Sequence, residues 1–82
     1  MDRESIRTTA AALLALVFGH AIGPAENPTR DREPKWDSLK HVEIVFSIED
    51  AFKIRFDDDE VAELDSLDRI VSSLERHLLR QN

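Results

Sequence analysis

The chain has 82 residues, a formal net charge of −6 and no cysteine, with 41% hydrophobic and 34% charged residues. A domain of this size buries roughly 60–65% of the surface its unfolded chain exposes, which leaves little room for a deep active site. Disulfides and thiolate metal centres are excluded, and the composition suits one small helical core.

The first element is a helix over residues 4–18, with Ile6, Ala10, Leu13 and Val17 at helical spacing and Leu14, Leu16 and Phe18 widening the stripe. Arg3 and Arg7 ahead of an apolar run give it the outline of a short signal peptide. Asp2 and Glu4 in the would-be basic region, and the cost of losing a helix from so small a core, favour a structural helix instead. The run is too short to span a membrane.

Gly19 and Gly23 break the pattern, and residues 23–36, "GPAENPTRDREPKW", hold all three prolines. This is a long loop, of the length that in compact domains tends to be functional or disordered. Trp36 at its end is expected to pin it to the core.

A second helix is expected from Asp37 to Phe52, "DSLKHVEIVFSIEDAF". Lys40, Glu43, Ser47 and Asp50 share its polar face. Leu39, Val42, Ile44, Val45, Phe46, Ile48 and Phe52 cover more than half its circumference, which predicts a helix largely surrounded by others. Ile54 and Phe56 alternate through a connector, and "DDDEVAEL" at 57–64 forms a short third helix with acids at its positive end. Ser66 caps a fourth helix with Leu67, Ile70, Val71, Leu74 and Leu78 on one face. Arg76, His77 and Arg80 suit its C-terminal dipole. The fold class is all-α: one domain over residues 1–82, a four-helix bundle with a long first loop and a short third helix.

Charge is unevenly placed. Residues 1–36 are balanced, residues 37–68 carry eleven acids against Lys40, Lys53 and Arg55, and the remainder is basic. Such a segment repels nucleic-acid backbones and anionic lipid and steers basic protein patches toward itself. His20, His41 and His77 fit no metal-ligand spacing, and glycine-rich phosphate loops and Gly-flanked nucleophiles are absent. No catalytic residue is assigned and an enzyme is not expected. His41 reads as a partly exposed helix histidine; a hydrolase built on Ser38 and His41 would lack an evident oxyanion hole.

Ser38 lies where the long loop feeds the second helix, exposed yet firmly placed. Asp37 can cap the helix and leave this hydroxyl free. An ordinary cap is the competing reading. Asp-Ser-Leu at 37–39, followed by Val42-Glu43 and "VFSIEDAFKIRF", resembles the core of an acyl carrier protein, and the similarity extends over residues 37–79. Residues 1–36 match that family only in layout.

The resemblance implies a 4′-phosphopantetheine arm, esterified to Ser38, whose thiol carries acyl groups as thioesters. Asp37 and Leu39 would be the motif neighbours, with Leu39 packing behind the motif while contributing to the partner surface. Glu43, Glu49 and Asp50 match docking acids, with Ser47 beside them; Glu49 lies nearest the apolar arc. Val45, Phe46, Ile48, Ile54, Ile70 and Leu74 are candidates to line an acyl cleft, or equally to be plain core. Implied partners are a phosphopantetheinyl transferase and acyl-transferring or condensing enzymes with basic patches, in fatty-acid, polyketide or related synthesis. A cytoplasmic monomer is expected. Lys40 stands where the family often has an acid and Trp36, which would pin the loop or else flank the mouth where the arm emerges, where it often has a small residue; a dedicated pathway is therefore an open hypothesis.

The tripeptide recurs as Asp65-Ser66-Leu67, but only 14 residues follow Asp68. Ser66 is therefore expected to be a cap. The alternative for the whole chain is an unmodified acidic adaptor with a carrier-like fold.

Overall fold

The computed structural model describes residues 2–80. Helices run over Arg3–Phe18 (α1), Ser38–Phe52 (α2), Asp58–Glu63 (α3) and Leu67–Arg80 (α4), and no strand forms among the described residues. The chain is all-helical, and α1 packs against both α2 and α4.

Each helix begins where a side chain can serve its unpaired N–H groups. Asp2 accepts from Ser5 N at 2.8 Å and caps α1. Asp37 accepts from Lys40 N at 2.8 Å and caps α2. Asp57 and Glu60 form a reciprocal capping box on α3. Gly19 ends α1 in the left-handed region (φ 77°) and donates its N–H to Ala15 O, a conformation glycine adopts without a Cβ clash.

The buried stripe of α1 is Ile6, Ala10, Leu14 and Phe18. Leu13 and Val17 sit at its edge, and Leu16 is exposed. Four-residue spacing selects the inclined row that one helix presents to another crossing it. The expected helix is present, but its inward face is turned from the expected one. In α2 the buried residues are His41, Ile44, Val45, Ile48 and Phe52, which fall within an arc of about 100°. Leu39, Val42 and Phe46 point outward. The second helix is therefore two-faced rather than surrounded: its apolar residues form two stripes, which a circumference count merges.

The loop, residues 19–37, is held by turns and by the start of α4. Arg32 N and Glu33 N both donate to Thr29 O, and Trp36 N to Glu33 O. Leu67 N donates to Pro28 O, Asp68 N to the Asn27 side chain and Arg30 N to Asp65 O, and Thr29 pairs with Ser66 in an isolated bridge. Ionic contacts of Arg3 with Glu75 and of Arg7 with Asp68 set α1 antiparallel to α4.

Trp36 is 3% exposed and does pin the loop, packing on Phe18 with ring centroids 5.5 Å apart. Its Nε1–H donates to His41 Nδ1 at 2.9 Å. The opposite nitrogen, Nε2, lies 2.8 Å from Val61 O. An indole N–H only donates and a carbonyl only accepts, so His41 is fixed as the Nε2–H tautomer. His41 is buried, not the partly exposed helix histidine expected: Trp36 and α3 cover it. Trp36→Phe leaves its Nδ1 buried without a donor and should lower stability by about 1–3 kcal/mol, read from urea unfolding. An unchanged midpoint would mean that this bond does not hold the loop.

A second polar link fastens α3 to α4. The Glu60 carboxylate accepts from Asp57 N (3.2 Å), Ser73 Oγ (3.0 Å) and His77 Nε2 (2.7 Å), and the Phe56 ring meets the His77 ring edge-on. Burial raises the Glu60 pKa, but the hydrogen bonds from Asp57, His77 and Ser73 outweigh it and hold the pKa below the usual carboxylate value of 4.5. A depressed carboxylate stabilises the fold above its unfolded pKa, and that stability is lost as pH falls through the folded value. Thermal unfolding followed below pH 4.5 should therefore show a steeper acid loss in wild type than in Glu60→Gln. Parallel curves would refute this link.

Candidate functional site

The two Asp-Ser-Leu copies adopt different registers. In the first, Asp37 is the cap and Ser38 the first helical residue. In the second, Ser66 accepts from Arg69 N at 3.1 Å and the helix starts one residue later, at Leu67. One residue is a rotation of about 100°, so the same side chains face different ways. Ser38 and Leu39 are exposed, whereas Ser66 is 8% exposed and Leu67 is fully buried. Loop residues 27–30 lie over the second copy, as expected of a structural cap.

Ser38 thus presents a hydroxyl at the start of a 15-residue helix, with Asp37 engaged at Lys40 N. The Arg30 guanidinium reaches it across the loop, with Nη2 3.4 Å from Ser38 Oγ. Arg30 is not among the residues that the sequence marks for a role. Its only signal is a basic residue eight positions ahead of the serine, and the contact depends on how the loop is folded back onto α4.

Leu39 does not pack behind the motif. It is 67% exposed and begins an outward stripe with Val42 and Phe46, the last 65% exposed. The spacing of three and four residues puts these side chains on one helix face. Acids and polar groups flank the stripe. Glu43 meets Lys40 Nζ at 3.5 Å, exposed Asp50 meets Lys53 Nζ at 3.9 Å, and Ser47 is half-buried.

Glu49 differs from the other candidate docking acids. Its Oε2 accepts the Phe56 N–H at 2.8 Å, so it ties the connector to α2. It still borders an open groove of about 570 Å³ lined by Phe46, Glu49, Asp50, Lys53, Ile54 and Arg55.

The acyl-cleft candidates divide the same way. Val45, Ile48, Ile54, Ile70 and Leu74 are all in the core, and Ile48, Ile70 and Leu74 are fully buried. Phe46 faces out and is not part of that interior set. The structure brings five of the six together as packed core, with Ile54 also touching the groove below Phe46.

Both ring nitrogens of His41 are taken by Trp36 and Val61, so it offers no lone pair to Ser38. His20 is bonded to Glu33 and Ala21 O, and its pKa is raised chiefly by Glu33. Among the described residues no three His, Cys, Asp or Glu side chains group as metal ligands, and no helix is long and apolar enough to cross a membrane.

No protein-family model matches the chain, and no curated protein matches it. Fold and site define a small helical protein with one serine displayed at a helix start beside an acid-flanked apolar face.

The outward stripe predicts a contrast in stability. Phe46→Ser should change unfolding free energy by no more than about 0.5 kcal/mol, as for surface positions generally. Ile48→Ala, on the opposite face, should cost about 2–5 kcal/mol in the same denaturant titration. Equal losses would mean that Phe46 is part of the core.

Proposed function

We propose that this chain is an acyl carrier protein that bears a 4′-phosphopantetheine arm on Ser38. The observation that carries the reading is the contrast between the two serines. Ser38 is exposed at a capped helix start, while Ser66, in the same tripeptide, is buried under the loop. An enzyme that must enclose a hydroxyl can reach the first and not the second.

The residues present fit a phosphate ester. Ser38 is exposed, the side-chain hydrogen bond it receives among the described residues comes from a cationic donor, and Asp37 is drawn away to the backbone. The arm, when bound, supplies a thiol that holds acyl groups as thioesters. The chain's own part is to present that arm and to be recognised. A phosphopantetheinyl transferase would move it from coenzyme A to Ser38. Acyl-transferring or condensing enzymes would then meet Leu39, Val42 and Phe46 through apolar contact, and Glu43 and Asp50 through basic groups. Such docking is weakened by salt, which suits a shuttle that must leave each partner.

Fatty-acid, polyketide or related acyl synthesis is the proposed setting, with the chain acting as a cytoplasmic, monomeric, non-enzymatic carrier. The closed core means that any chain sheltered inside would have to part Ile48, Ile70 and Leu74.

The test is intact mass after incubation with coenzyme A and a promiscuous phosphopantetheinyl transferase. Wild type and Ser66→Ala should gain one arm, and Ser38→Ala none. Absence of any gain in folded wild type would refute the reading and leave an unmodified adaptor that uses the same outward face.

A further inference from the structure

Among the described residues several bases, Arg30, Arg32, Lys35, Arg55 and Arg76, form no close ionic contact, and of these Arg30 is the one whose side chain donates a hydrogen bond. Arg3, Arg7 and Arg69 each meet a carboxylate, and Lys40 and Lys53 pair along α2. Among the described residues Arg30 has no carboxylate within 4.0 Å, although the chain carries 17 acids. Its side-chain partner is the neutral hydroxyl of Ser38, 3.4 Å away. A neutral hydroxyl is a weak acceptor for a cation, and a planar fork of five donors suits an oxyanion far better.

The position of Arg30 is fixed independently of Ser38. Its N–H donates to Asp65 O at 2.8 Å, Thr29 beside it bridges to Ser66, and Pro28 O accepts from Leu67 N at 3.0 Å. Three successive loop residues are thus fastened to the start of α4 while the Arg30 side chain extends to the start of α2. Of the other nearby bases, Lys40 is already paired with Glu43 and Arg69 with Asp65, and Arg32 and Lys35 make no hydrogen bond to Ser38.

We propose that Arg30 is the built-in counter-ion of the phosphate ester on Ser38, so that modification converts a weak contact into a charged clasp between the loop and α2. The inference rests on the carrier reading and deepens it. A phosphodiester on Oγ bears one negative charge on oxygens next to the atom that Arg30 already touches. Arg30 is a positioning residue: it restrains the root of the arm, and loading in turn tightens residues 28–30 against α4.

The test compares wild type, Arg30→Ala and Arg30→Lys, each shown by intact mass to carry one arm. Loading should raise the Tm of wild type by about 2–4 °C, the scale of one partly exposed charge pair in a domain this small. The gain should be absent in Arg30→Ala and partial in Arg30→Lys, because lysine keeps the charge and loses the fork. The 31P resonance of the diester should move with added salt in wild type and stay fixed in Arg30→Ala. Equal gains and superimposable 31P behaviour in the two proteins would overturn the role of Arg30 and leave the carrier reading intact. Failure to load wild type would overturn both. If only Arg30→Ala resists loading, phosphoserine placed genetically at position 38 gives the same readout. Its 31P titration midpoint should lie lower with Arg30 present than in Arg30→Ala, and equal midpoints would overturn the clasp.

Discussion

The fold depends on a hydrogen-bonded line of three residues: Trp36 donates to His41, and His41 donates to Val61 O. The line crosses from the loop through α2 to α3, three segments that share few other polar contacts. A long loop rich in proline and charge has only isolated turn bonds of its own, and α3 is only six residues long. Neither is stable alone, since isolated short helices are marginal in water. A buried imidazole satisfied on both sides supplies what they lack, because a misplaced loop or third helix would leave a buried polar atom unpaired. Direction, more than strength, is what this line contributes. It fixes where the loop ends, and so where Ser38 begins its helix.

The duplicated tripeptide shows how little of a site resides in its letters. Asp-Ser-Leu can be read with aspartate as the cap or with serine as the cap, and both residues are good at that task. At residues 37–39 the buried Trp36 immediately precedes the motif and Asp37 takes the cap. At residues 65–67 the loop supplies Pro28 O and the Asn27 side chain to the next two N–H groups, and serine takes it. A shift of one residue turns Leu67 into the core and Leu39 out of it. The exposure of Ser38 therefore follows from the surroundings of the motif rather than from the motif.

These cases mark what the sequence can disclose. The four helices, their approximate limits, the long loop and the anchoring tryptophan were legible because caps, glycines and periodicity act locally. Inward direction was less so. Leu39, Val42 and Phe46 read as interior because apolar side chains on a wheel carry no label for the side that another helix will cover. His41 read as exposed because a polar residue beside Lys40 looks like surface, and its partners lie five residues before it and twenty after. Glu49 read as a docking acid, and the hydrogen bond that it accepts from the Phe56 N–H left no local mark in the sequence. Arg30 carried no legible signal, since its contact exists only once the loop is stitched to α4. Where the deciding partner is distant in sequence, local reasoning identifies the residue and misplaces its task.

The acids of α2 are consequently unequal in what they can offer another protein. Glu43 and Asp50 hold exposed, long contacts with lysines one turn away, and such pairs contribute roughly 0–1 kcal/mol. Exchanging Lys40 or Lys53 for a cation on a partner is nearly neutral, so both carboxylates are available at little cost. Glu49 is committed differently. Drawing it outward strands the N–H of Phe56, a residue 8% exposed, and frees the connector that leads to α3. A partner that engages the outer face should therefore draw on Glu43 and Asp50 and use Leu39, Val42 and Phe46 for apolar contact, while Glu49 keeps that face attached to its fold. Availability and structural commitment are thus divided between neighbouring carboxylates by the contacts each already makes, although one charge sign and one helix made them look alike.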